Sequence, residues 1–187
     1  MPLSRYFYNR NPVDVARDLL GKKLVRGYQG IVLSGMINET EAYLGKEDSA
    51  SHAFREMTPR NKTMFGPPGH AYVYLIYGMY HMLNVVAGEE NVPWAVLVRS
   101  VVPLEGIEAM RKCRGGTKEL ADGPGKLCKA FRIEMDLNGW DLTSGRVLWI
   151  EDYKTVPEKD IERTRRIGVD YAMPEHRDAE LRFLIRS

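Results

Sequence analysis

Residues 67–86 read PPGHAYVYLIYGMYHMLNVV, with tyrosines at Tyr72, Tyr74, Tyr77 and Tyr80 and a break at Tyr77-Gly78-Met79. Alternation of period two puts Tyr72, Tyr74 and Ile76 on one face and Val73 and Leu75 on the other, while Gly78 supplies the backbone freedom of a tight turn. The stretch therefore reads as a β-hairpin with Tyr77 at its tip. An aromatic ring on a rigid tip suits stacking on a nucleobase or wedging between base steps. Tyrosine-rich strands are also ordinary half-buried sheet, so the hairpin alone leaves both readings open.

Around this hairpin the chain predicts a mixed fold. Asn11-Pro12 opens a helix through VDVARDLLG that stops at Gly21. Strands follow at Lys23–Val25 and Ile31–Tyr43, separated by a turn over Gly27–Gly30, and in the second Ile37, Glu39, Glu41 and Tyr43 are expected on one face. Residues 44–69, rich in Gly, Pro, Ser and charge, predict a long loop. Trp94–Val102 reads as a strand in which Leu97 and Arg99 point the same way, and an arginine within AVLVRSVV needs a carboxylate partner or a polar cleft. Helices are predicted over Leu104–Arg114 and Asp122–Phe131, then short strands and turns to RFLIRS.

The composition suits one soluble domain spanning 1–187, with 44% hydrophobic and 28% charged residues and no apolar run long enough for a bilayer. The first residues lack a signal-peptide core and the only cysteines are Cys113 and Cys128, which points to an intracellular location. Net charge is +2, so distribution matters more than the total. Arg111, Lys112, Arg114, Lys118, Lys126 and Lys129 form one basic cluster and Arg163, Arg165 and Arg166 another; each is either a phosphate-facing surface or a solvated face.

Several chemistries fail on spacing. GPGK at 123–126 lacks the Walker pattern, because Leu120 replaces its first glycine and Leu127 its Ser or Thr. His52, His70, His81 and His176 show no zinc spacing, and no serine lies in a GxSxG elbow. Carboxylate chemistry remains. Glu41, beside an arginine, is a candidate general base, with a cross-sheet salt bridge as the equal alternative; for Glu39 the spacing favours the salt bridge.

INETEAYLGKEDSASHAF, MTPRNKTMFGPPGHAYVYLIYGMYHMLNVV, VPWAVLVRSVVPLEG and DGPGKLCKAF, in that order, resemble the alkyladenine (methylpurine) DNA glycosylases of base-excision repair, from Tyr6 to the terminal RFLIRS. The resemblance implies a single α+β domain with a curved antiparallel sheet, surrounding helices and a protruding hairpin. It makes Tyr77 the intercalating residue, flanked by Met79, and Tyr43 one wall of a base sandwich opposed by Tyr74 and His52. Asn84 and Leu97 would form the pocket floor, the backbone near His52 and Ala53 would meet the base edge, and Glu41 would activate water with help from Arg99.

The same resemblance implies a monofunctional hydrolase that flips alkylated purines, hypoxanthine or ethenoadenine from double-stranded DNA and leaves an abasic site, as a monomer without metal or organic cofactor. Its location would be cytoplasmic and nucleoid-associated in a prokaryote, nuclear in a eukaryote. Relatives usually continue past the strand matching RFLIRS, so tail contacts are expected to be missing or trimmed. A non-catalytic damaged-DNA or RNA binding module would keep the hairpin and basic surface but need neither Glu41 nor Arg99. A hydrolase of free nucleosides would have no use for the protruding tyrosine.

Overall fold

A computed structural model describes residues 1–186. Two helices, α1 (Arg5–Tyr8) and α2 (Pro12–Leu19), precede the strands β1 (Lys23–Tyr28) and β2 (Ile31–Tyr43). The Asn11 side chain caps α2 by accepting from the Val13 amide at 2.9 Å, and proline takes the first helical position. The hairpin strands are β3 (Ala71–Ile76) and β4 (Tyr80–Ala87), followed by β5 (Trp94–Glu105), α3 (Ile107–Cys113) and α4 (Pro124–Phe131). Short strands β6 (Leu148–Glu151), β7 (Ile161–Thr164) and β8 (Arg182–Ile185) and the one-turn helix α5 (Pro174–Arg177) complete it.

All eight strands, among the described residues, join one antiparallel sheet in the order β3-β4-β5-β2-β1-β6, with β8 and β7 branching from β2. The long β2 serves two neighbours along one edge: residues 31–36 pair with β1 and residues 39–41 with β8. The sheet curves and stays open. The main core fills one face, where α2, α3 and α4, the last through Phe131, cover sheet residues such as Leu33, Val73, Leu83 and Val96. On the other face a smaller cluster of Ala53, Met64, Phe65, Tyr72, Val86 and Ala95 anchors the 44–69 loop.

Three predicted boundaries and one predicted face shift. β1 runs on to Tyr28, so the turn is the tighter pair Gln29-Gly30, both at positive φ. β5 extends through Leu104 and Glu105, which the spacing had placed in a helix. It ends at Gly106, whose φ of +72° and crowding against Val32 and Leu33 suit glycine alone. α4 begins two residues late because Gly123 is extended and Pro124 starts the helix.

The fourth shift concerns sidedness. Ile37 does not share a face with Glu39, Glu41 and Tyr43. The β2–β5 register slips between Ile37 and Glu39 and again between Glu39 and Thr40, where Asn38 and Arg99 are the extra residues. Ile37, Thr40 and Ala42 consequently all face the α2 side: Ile37 and Ala42 lie in the main core, and the Thr40 hydroxyl donates to the Ala16 carbonyl at 2.8 Å. The bulges leave Glu39, Glu41, Leu97 and Arg99 together on the other face.

Candidate active site

Register builds the site. Tyr72 pairs with Asn84, Asn84 with Leu97, Leu97 with Glu41 and Glu41 with Arg182, a single row across β3, β4, β5, β2 and β8. Directly opposed residues in neighbouring strands project from the same side, so residues distant in sequence line one surface. Over this row lies a cavity of about 500 Å³, within the range that takes a small organic ligand. Tyr43, His52, Tyr72 and Tyr74 form its aromatic walls, and Asn84, Leu97 and Arg99 lie at its base.

Glu41 sits beneath this floor and is completely buried. Its Oε1 accepts from the Ile167 amide at 2.8 Å and faces Arg99 Nη1 at 3.2 Å; its Oε2 accepts from the Tyr43 hydroxyl at 2.8 Å. A carboxylate has about four acceptor positions, so the two hydrogen bonds, with Arg99 pairing by charge, leave acceptor capacity on the carboxylate. Burial, and then the adjoining Glu41, push the Tyr43 phenol well above its ordinary range, so it remains a donor. Arg99 spans two carboxylates, since its Nε donates to Glu39 at 2.7 Å, and Arg182 Nε donates to the same Glu39 oxygen at 2.6 Å. Burial works against the Arg99 charge, but Glu41 and Glu39 together raise its pKa further.

The walls are equally ordered. His52 keeps an exposed edge, yet its Nδ1 lies 3.0 Å from the Tyr72 hydroxyl and its ring centroid 4.5 Å from that of Tyr74. Burial of the imidazole, then the nearby Arg60 cation, bring its pKa down to about 4, leaving it neutral at pH 7. Burial raises Tyr72 to about 12. Asn61, almost fully buried, donates to the carbonyls of His52 and Glu56 at 2.8 and 2.9 Å and accepts from the Thr58 amide at 2.6 Å, which pins the loop behind His52.

At the pocket's outer edge the hairpin protrudes. Tyr77 is 83% exposed and Met79 64% exposed. Tyr77 and Gly78 both have positive φ, +53° and +69°, and the Met79 amide donates to the Ile76 carbonyl at 3.1 Å, the pattern of a type I′ turn. Tyrosine at positive φ is strained by roughly 1–2 kcal/mol, a cost that concentrates at functional positions. α4 flanks the hairpin, with Pro124 lining the pocket and Gly125 directly against the Tyr80 ring.

Seven of the ten residues singled out from the sequence line the pocket: Tyr43, His52, Tyr74, Tyr77, Asn84, Leu97 and Arg99. Glu41 lies beneath it and Met79 beyond its rim. Ala53 does not reach it; it is buried in the smaller core, and its amide is occupied by Ser51 Oγ at 3.2 Å. The second basic cluster disperses. Arg166 is buried against Asp48, Arg165 pairs with Asp178, and Arg163 lies 5.2 Å from the Phe183 ring. Sequence reasoning missed the 165–173 loop, whose Ile167 amide and Tyr171 ring reach the site across 126 and 121 residues of chain and follow no motif or periodicity.

The site thus combines a protruding aromatic tip, an aromatic pocket and a buried carboxylate paired with an arginine. The sequence model of the methylpurine-DNA glycosylase (MPG) family matches residues 6–187. A protein of Methanocella arvoryzae bearing the printed name "Putative 3-methyladenine DNA glycosylase" is 51% identical over 91% of this chain and 86% of its own. Relatives of the same name from Carboxydothermus hydrogenoformans and Alkaliphilus oremlandii are 46% and 47% identical over 100% of this chain and 96% of theirs. This chain belongs to the methylpurine-DNA glycosylase family, whose reaction class is hydrolysis of N-glycosyl bonds.

Proposed function

We propose that this protein is a monofunctional glycosylase that flips damaged purines out of duplex DNA and hydrolyses their N-glycosidic bond with a water activated by Glu41. The observation that carries this reading is the buried Glu41 carboxylate, hydrogen-bonded by the Tyr43 hydroxyl and the Ile167 amide and paired with Arg99, with acceptor capacity left over, beneath a pocket walled by Tyr43, Tyr74 and His52. Tyr77, with Met79 beside it, fills the space vacated in the duplex, and the base enters the pocket. Discrimination against normal guanine falls to Asn84, whose amide is held by the Tyr72 carbonyl at 3.2 Å where a guanine amine would collide with it.

The chemistry follows from charge. Water oxygen bonds to C1′ while the C1′–N bond breaks and its electron pair passes to the purine; Glu41 takes the water proton and steadies positive charge developing at the sugar. A cationic N3- or N7-alkylpurine leaves as a neutral molecule, whereas hypoxanthine and ethenoadenine need a proton on the ring.

The test is base release from duplexes carrying hypoxanthine, ethenoadenine or 7-methylguanine, with hot alkali to reveal abasic sites and Glu41→Gln alongside. Release by the wild type with loss of at least 100-fold in the variant, while lesion binding persists, is the expected result. Equal loss of binding and release would remove Glu41 from the role of base. Binding of damaged duplex without any release would favour a binding module.

A further inference from the structure

Tyr171 is 69% exposed, yet it lines the same pocket and its hydroxyl donates to the Ala50 carbonyl at 2.9 Å. An exposed aromatic ring tethered at its polar end is a preformed stacking surface, because ordering it costs nothing further when a ligand arrives. The supporting loop is equally fixed. Arg166 joins it to Asp48 and to the Ala42 and His176 carbonyls, the Met173 amide donates to Ser49 Oγ at 2.9 Å, and Val169 and Ala172 pack with Ala50 behind Tyr43. Tyr74 and Tyr171 both line this opening, and the Tyr171 phenol is close enough to Tyr74 to help raise that residue's pKa.

We propose that Tyr171 is an additional base-binding residue, an outer aromatic wall that contacts the extruded purine at the pocket mouth. The inference rests on the reading of the pocket as the seat of a flipped purine. Its chemical content is apolar: stacking that tolerates many bases, with the Ala50 carbonyl consuming the hydroxyl's donor so that recognition comes from the ring.

The test uses Glu41→Gln as the parent, so that lesions persist, and adds Tyr171→Ala, Tyr171→Leu or Tyr171→Phe. Equilibrium binding is measured to three duplexes containing ethenoadenine, a tetrahydrofuran abasic analogue or no damage. The Ala and Leu variants are expected to lose about tenfold in affinity for ethenoadenine with abasic and undamaged affinity unchanged, and the Phe variant, which keeps the ring but not the tether to Ala50, to lose clearly less than either. Equal losses on the ethenoadenine and abasic duplexes would make Tyr171 a loop-structural residue, and no loss on either would remove it from the site; both overturn the proposal. A parent that binds ethenoadenine duplex no better than undamaged duplex would overturn the underlying reading of the pocket and the Tyr171 role with it.

Discussion

The Arg166 guanidinium lies 4.7 Å from the centroid of the Tyr43 ring and, being fully buried, covers the face turned away from the pocket. Its two terminal nitrogens hold both oxygens of Asp48 at 2.5 and 2.9 Å. The same residue immediately precedes Ile167, whose amide fixes Glu41. One buried ion pair therefore backs the pocket wall and seats the loop that orients the carboxylate.

Arg166→Met is expected to cost about 3–5 kcal/mol, because it leaves the Asp48 charge buried without its partner. Asp48→Asn should fall in the same range. The double variant should lose less than the sum of the two, since neither partner is then left charged and alone. Urea denaturation of the four proteins measures this, and strict additivity would mean that the pair is not coupled.

Glu39 provides the pH dependence. Burial by itself raises its carboxyl pKa, but the hydrogen bond from Arg182 and the charge and hydrogen bond of Arg99 outweigh burial and hold it below the ordinary carboxylate range. A carboxylate depressed in the folded state stabilises above its unfolded pKa, about 4.3, and that contribution disappears as pH falls through the lower folded value. Glu39→Gln should thus cost about 2 kcal/mol at pH 7, with the difference from wild type shrinking steadily below about pH 4. Base release should fall about tenfold at neutral pH, because Arg99 loses the anchor at Nε that aims Nη1 at Glu41. Denaturation curves between pH 3 and 7 with single-turnover kinetics check both parts.

Tyr77→Asn separates stability from function. Asn-Gly is the favoured pair for a type I′ turn and tolerates positive φ far better than tyrosine, so the variant should be more stable by about 1 kcal/mol. It also removes the exposed ring. Release from well-stacked lesions should fall at least tenfold, and release from mismatched, already unpaired lesions should fall less. A stability gain with undiminished activity on both substrates would contradict the wedge.

The amino-acid sequence by itself determined the hairpin, its tip at Tyr77 and the grouping of Tyr72 with Tyr74, because period-two alternation and one glycine are local properties. It also marked Arg99 as needing a carboxylate, since an arginine in an apolar strand has few alternatives. Ile37 was misplaced because bulges at Asn38 and Arg99 reverse sidedness, and a bulge is a matter of pairing between strands rather than of either strand alone. Arg166 read as a surface cation, yet it is buried, because what decides its position is Asp48, 118 residues earlier. Only the tertiary structure decided that Glu41 lies beneath the pocket floor, held by a backbone amide 126 residues away, and that Tyr171 faces the same opening as Tyr74. Main-chain donors carry no residue signature, and the approach of distant loops is set by packing over the whole sheet.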